Sequence, residues 1–88
     1  MTTKQEIEPV FQKALNLVEE REETYGDAWK RNGREVCIAE VIRKANSIRA
    51  QWERGKCSTD KFAEDLLDLM NWSAYAYWHV TREKTNDT

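Results

Sequence analysis

Apolar positions recur along this chain at spacings of three and four in three long stretches, and nowhere do they alternate with polar ones over the length of a strand. The first stretch runs from about Thr3 to Thr24. Thr3-Lys4-Gln5-Glu6 reads as a capping box, and Ile7, Val10/Phe11, Ala14/Leu15 and Val18 form one stripe. Pro9 leaves two starts open: a helix entered near Glu8 with the proline in its first turn, or one entered at the capping box that bends at Pro9. The second stretch runs from Gly33 to Arg54, opened by Asn32-Gly33-Arg34-Glu35 and striped by Ile38, Val41/Ile42, Ala45, Ile48 and Trp52. Gly55 follows it as a C-terminal cap, and the connection 25–32 has room for an extra helical turn.

The third stretch begins at the N-cap cluster Ser58-Thr59-Asp60 and continues to about Thr81. Its second half, with Leu66, Leu67, Leu69, Met70, Trp72, Ala74, Tyr75, Tyr77 and Trp78, has almost no polar face. A helix apolar nearly all round needs cover on more than one side, which three helices alone do not provide. The expectation is an all-α, three-helix domain over residues 1–82 that assembles into an oligomeric helical bundle, a homodimer or tetramer. Met70, Ala74, Tyr77 and Trp78 are the expected contacts, and residues 83–88 a disordered tail.

Composition narrows the function. The 88 residues have a formal charge of −2, which argues against direct DNA binding, because phosphate backbones are met with a basic excess. Two cysteines, Cys37 and Cys57, and one histidine, His79, leave no disulfide scaffold or zinc finger, and all three read as packing or surface residues. No stretch is apolar enough for a membrane span or a signal peptide, so a cytoplasmic protein is expected.

The small total conceals a segregation. Residues 1–27 sum to −4, 28–56 to +5 and 57–88 to −3. Complementary packing between neighbouring helices accounts for this pattern, and so does a shared site. Glu20 and Glu23 share one helix face, as do Asp65 and Asp68, and Asp68 lies in a strongly apolar stretch where a lone carboxylate is costly. Carboxylates converging from two helices are a means of holding Mg²⁺, with Arg43 and Lys44 to neutralise phosphate. Tyr25 and Trp29, paired in a connection, suit either stacking on a base or anchoring the loop.

Three segments carry a resemblance: Glu23-Thr24-Tyr25-Gly26-Asp27-Ala28-Trp29, then 41–49 (Val-Ile-Arg-Lys-Ala-Asn-Ser-Ile-Arg), then Asp65-Leu66-Leu67-Asp68-Leu69-Met70-Asn71-Trp72. Over about residues 10–80 the chain resembles the small, often phage-encoded nucleotide-modification-associated domains. These are themselves similar to the all-α nucleoside triphosphate pyrophosphohydrolases of the MazG and dimeric dUTPase type. That resemblance implies a Mg²⁺-dependent enzyme that releases pyrophosphate from a nucleoside triphosphate, or a nucleotide-binding relative of one. The family's E-x-x-D motif falls on Asp65 and Asp68, the implied catalytic pair. Its E-E-x-x-E motif has no match on the second helix, where Glu35 and Glu40 are wrongly spaced and Arg43 and Lys44 follow. The expected arrangement therefore has Glu20, Glu23, Asp65 and Asp68 as metal ligands, and Arg43, Lys44, Tyr25, Trp29 and Asn71 on the substrate. The alternative is a non-catalytic oligomeric helical accessory protein of phage or mobile-element type.

Overall fold

A computed structural model describes residues 1–86, with side chains to Arg82. It contains three helices and, among the described residues, no strand: α1 (Thr3–Tyr25), α2 (Ala28–Glu53) and α3 (Asp60–Asn86). The all-α reading is correct. The α1 cap sits one residue earlier than the expected Thr3. Thr2 Oγ1 accepts from the Gln5 amide at 3.2 Å while the Gln5 side chain accepts from the Thr2 amide at 2.9 Å. The helix therefore begins at its capping box and runs through Pro9, which forgoes one ladder hydrogen bond.

The extra turn expected in the connection is present and continuous with α2, so Trp29 is helical rather than in a loop. Gly33 breaks the helix internally with φ 87° and ψ 178°, a conformation that a residue with a Cβ adopts only with strain. The break re-aims the 28–32 turn toward α3. Thr59 caps α3 by accepting from the Phe62 amide at 3.1 Å, and the helix extends past the expected end at Thr81 to Asn86. The disordered tail expected over 83–88 lies outside the residues whose side chains are described.

α2 and α3 form an antiparallel hairpin, and α1 packs more lightly on α3. Asn71 pins the two, its side-chain amide donating to the Ala14 carbonyl at 3.0 Å. The fully covered apolar side chains are few: Ala14 and Cys37. The interior is otherwise polar, with Gln51, Asp65, Asp68 and His79 all buried. Trp78, expected at an oligomer contact, is half-buried. Its ring meets Trp29 edge-on at 5.1 Å, and the Arg82 guanidinium lies 3.9 Å from its centroid. No helix among the described residues is long and apolar enough to cross a membrane.

Candidate functional site

Two rows of side chains face each other across α1 and α3: Val18, Arg21, Glu22 and Tyr25 on one, and Asp68, Asn71, Trp72 and Tyr75 on the other. Each has the three- and four-residue spacing of a single helix face. α2 closes the third side with Trp29 from the turn before the Gly33 break and with Glu40, Arg43 and Lys44 after it. The cleft so enclosed has a volume of about 340 Å³, within the range of roughly 300–1,000 Å³ usual for small-molecule sites.

One end of the cleft is aromatic. Trp29 stacks on Tyr75 with centroids 4.6 Å apart and planes 12° from parallel, and Trp72 meets Tyr75 edge-on at 5.4 Å. The Trp29 backbone is fixed from behind. Its carbonyl accepts from His79 Nε2 at 3.0 Å and from Cys37 Sγ at 3.6 Å. A carbonyl can only accept, so the His79 proton resides on Nε2. Tyr25 stands at the rim, 67% exposed.

The other end is ionic. Lys44 Nζ bridges Asp65 at 3.2 Å and Asp68 at 2.9 Å, and Arg21 reaches Asp68 at 3.0 Å and Glu64 at 3.0 Å. Asp65 lies behind the cleft wall, where it accepts from Gln51 and Lys61 at 2.8 Å each and from Ser47 at 3.3 Å. Burial pushes the Asp65 carboxyl up. Hydrogen bonds from Lys61, Gln51 and Lys44, with the Lys44 charge, outweigh it and hold the group well below the usual carboxylate range. The Lys44 ammonium is likewise pulled down by burial and raised, on balance, by its bonds to Asp68 and Asp65. Arg43 is different: its side chain is 61% exposed, and its Nε donates to both Glu40 oxygens at 3.0 Å on the surface.

Of the expected site residues, Asp68, Arg43, Lys44, Tyr25, Trp29 and Asn71 do line one cleft. The expected convergence of four carboxylates does not occur. Glu20 and Glu23 line a separate, shallow groove with Lys13, Glu19 and Glu64, because they lie on the flank of α1 turned away from the Val18–Tyr25 row. Asp65 is a structural anchor with its oxygens committed to Lys44, Lys61, Gln51 and Ser47, not a catalytic group facing the cleft. Asn71 lines the cleft, and its amide nitrogen donates one hydrogen bond to α1. Among the described residues no group of three or more acidic, histidine or cysteine side chains is placed to hold a metal ion. Sequence reasoning missed Arg21, Glu22, Glu40, Trp72 and Tyr75. Extending the Asp68–Asn71 row by one turn would have reached Trp72 and Tyr75, whereas nothing in the sequence singles out Arg21 within its acidic neighbourhood.

Comparison with protein-family models, curated proteins and solved structures gives no match to this chain.

Proposed function

We propose that this chain binds a nucleotide in the cleft between α1, α2 and α3. One observation carries the reading: a stacked aromatic wall (Trp29, Tyr75, with Trp72) and three cations (Arg21, Arg43, Lys44), set among the carboxylates Glu22, Glu40 and Asp68, line the same cavity of about 340 Å³. A planar base finds π-faces at one end and its phosphates find guanidinium and ammonium donors at the other. Arg43 is the cation best able to turn toward a ligand, since an exposed ion pair such as Arg43–Glu40 contributes little and opens cheaply. Lys44 is held in place by two buried carboxylates and supplies a fixed positive charge behind it.

The residues do not fit the Mg²⁺ site implied by the family resemblance. That ion demands near-octahedral oxygen ligands at about 2.0–2.1 Å. Asp65 and Asp68 instead share Lys44, and Glu20 and Glu23 face another groove.

Trp29 and Trp72 make the reading testable. Nucleoside triphosphates titrated into the protein, with and without Mg²⁺, should quench tryptophan emission saturably. Trp29→Phe should remove much of the quench, and Arg43→Ala should weaken binding of the triphosphate more than that of the free nucleoside. Absence of quench and of binding heat with all the common ribo- and deoxyribonucleotides would sink the proposal. Pyrophosphate release measured in the same samples reports whether binding is accompanied by cleavage.

A further inference from the structure

The charge around the cleft limits how many phosphates its ligand can carry. Arg21, Arg43 and Lys44 stand against Glu22, Glu40 and Asp68 in the same lining, so the cavity wall itself is neutral. The groups bonded to it from behind tip the balance. Glu64 pairs with Arg21, Asp65 with Lys44, and Lys61 with Asp65. With these three counted, four positive side chains meet five negative ones. A polyphosphate is an accumulation of negative charge and calls for a basic excess. This cleft has none.

Nor are its cations equally available. Lys44 is shared by Asp65 and Asp68, whose side chains are only 6% and 5% exposed. Drawing it toward a ligand would leave buried carboxylates without their cation. Arg21 already donates to Asp68 and Glu64 through its two terminal nitrogens. Arg43 alone is paired on the surface, with Glu40, and can turn to a ligand at little cost. One guanidinium matches one phosphoryl group, two parallel N–H donors on two oxygens. Hydrogen bonds from Arg43 hold the Glu40 carboxyl below the usual carboxylate range, so it is ionised at neutral pH. Glu22 lines the same cavity from α1, with no ion pair of its own among the described residues. The volume of about 340 Å³ lies near the small end of ligand sites, which agrees with a short ligand.

Resting on the reading that a base stacks at the aromatic end, we propose that the nucleotide this cleft takes is a nucleoside monophosphate. Its one phosphate is held by Arg43, and the carboxylates Glu22 and Glu40 disfavour the longer di- and triphosphates. A monophosphate, with a charge of about −2 at pH 7, supplies Arg43 with a partner in place of Glu40. Further phosphoryl groups find no uncommitted donor in the lining and add to its negative side. At an effective dielectric of about 20, one uncompensated negative charge about 10 Å away weakens binding about tenfold for each anionic charge added.

Calorimetric titration in EDTA, with nucleoside, mono-, di- and triphosphate of each common base, should find the monophosphate tightest. The triphosphate should bind about tenfold more weakly or worse. Raising the salt concentration should narrow that ratio, because the penalty is electrostatic. Glu22→Gln, at an exposed position outside the buried ion network, should strengthen triphosphate binding by up to about tenfold and monophosphate binding less. Arg43→Ala should bring the monophosphate down to the affinity of the nucleoside. A triphosphate that binds more tightly than the monophosphate, in EDTA or with Mg²⁺, would overturn the inference while leaving the nucleotide reading in place. A preference unmoved by salt and by Glu22→Gln would overturn it too, since size and not charge would then set the limit. If no member of the series binds, the nucleoside included, the nucleotide reading falls and this inference with it.

Discussion

The two sides of the α2–α3 hairpin are built on opposite principles. Toward α1, the helices bury charge: Lys44 between Asp65 and Asp68, Arg21 on Asp68, and Gln51, Ser47 and Lys61 on Asp65. Away from α1, they leave rows of uncharged side chains exposed to water, Ile38, Ala45 and Trp52 on α2 and Leu66, Ser73, Tyr77 and Val80 on α3. The difference separates two sources of cohesion. The buried ion network is directional, so it holds α1, α2 and α3 in one register and shapes a cleft. The apolar rows are non-directional and contribute only when water is removed from them.

The largest expected effect breaks the first side. Lys44→Ala leaves two buried carboxylates facing each other without their shared cation, and should cost about 3–5 kcal/mol of unfolding free energy in urea titration. A loss much below that would mean the network is open to water and the contrast between the sides is overdrawn. Next in size is Trp29→Ala. It removes a ring that stacks on Tyr75 and meets Trp78, and should cost about 3 kcal/mol while flattening the near-ultraviolet dichroism of the aromatic cluster.

A smaller effect sharpens the comparison through pH. The folded-state pKa of Asp65 lies below its unfolded value of about 3.9, so its network contributes stability above that pH, and the contribution is lost as pH falls through the folded value. Stability of the wild type should therefore decline on acidification below about pH 4, and Asp65→Asn should flatten that limb after an overall loss at neutral pH. Smallest of all is Glu20→Gln with Glu23→Gln. Both lie outside the cleft, and nucleotide binding and melting temperature should be unchanged within error. A loss of binding in that double variant would return α1's acidic flank to the site.

Much of this was legible in the chain. The 3–4 periodicity and the N-cap cluster before α3 led to three helices close to their observed bounds, because helix formation and capping depend on neighbours within a few residues. Six residues of the cleft are legible there too, among them Asp68, Lys44 and Trp29. Their chemistry is unusual enough for its setting, such as a carboxylate among leucines, that the sequence alone marks them as paired or functional.

What only the tertiary structure decided is which polar groups meet. Two carboxylate pairs at i, i+3 look alike in sequence, yet Asp65 and Asp68 turn inward to Lys44 while Glu20 and Glu23 turn to a separate groove. That choice depends on how α1 is rotated about its axis, and the rotation is set by Asn71 on the Ala14 carbonyl and by Arg21 on Asp68, contacts spanning 57 and 47 positions. The contact of Trp78 with Trp29 has the same origin, since it required the Gly33 break to bring Trp29 beneath it. Local periodicity specifies that a face is apolar. Long-range contacts specify which neighbour it meets, because their energy exists only once the chain has closed.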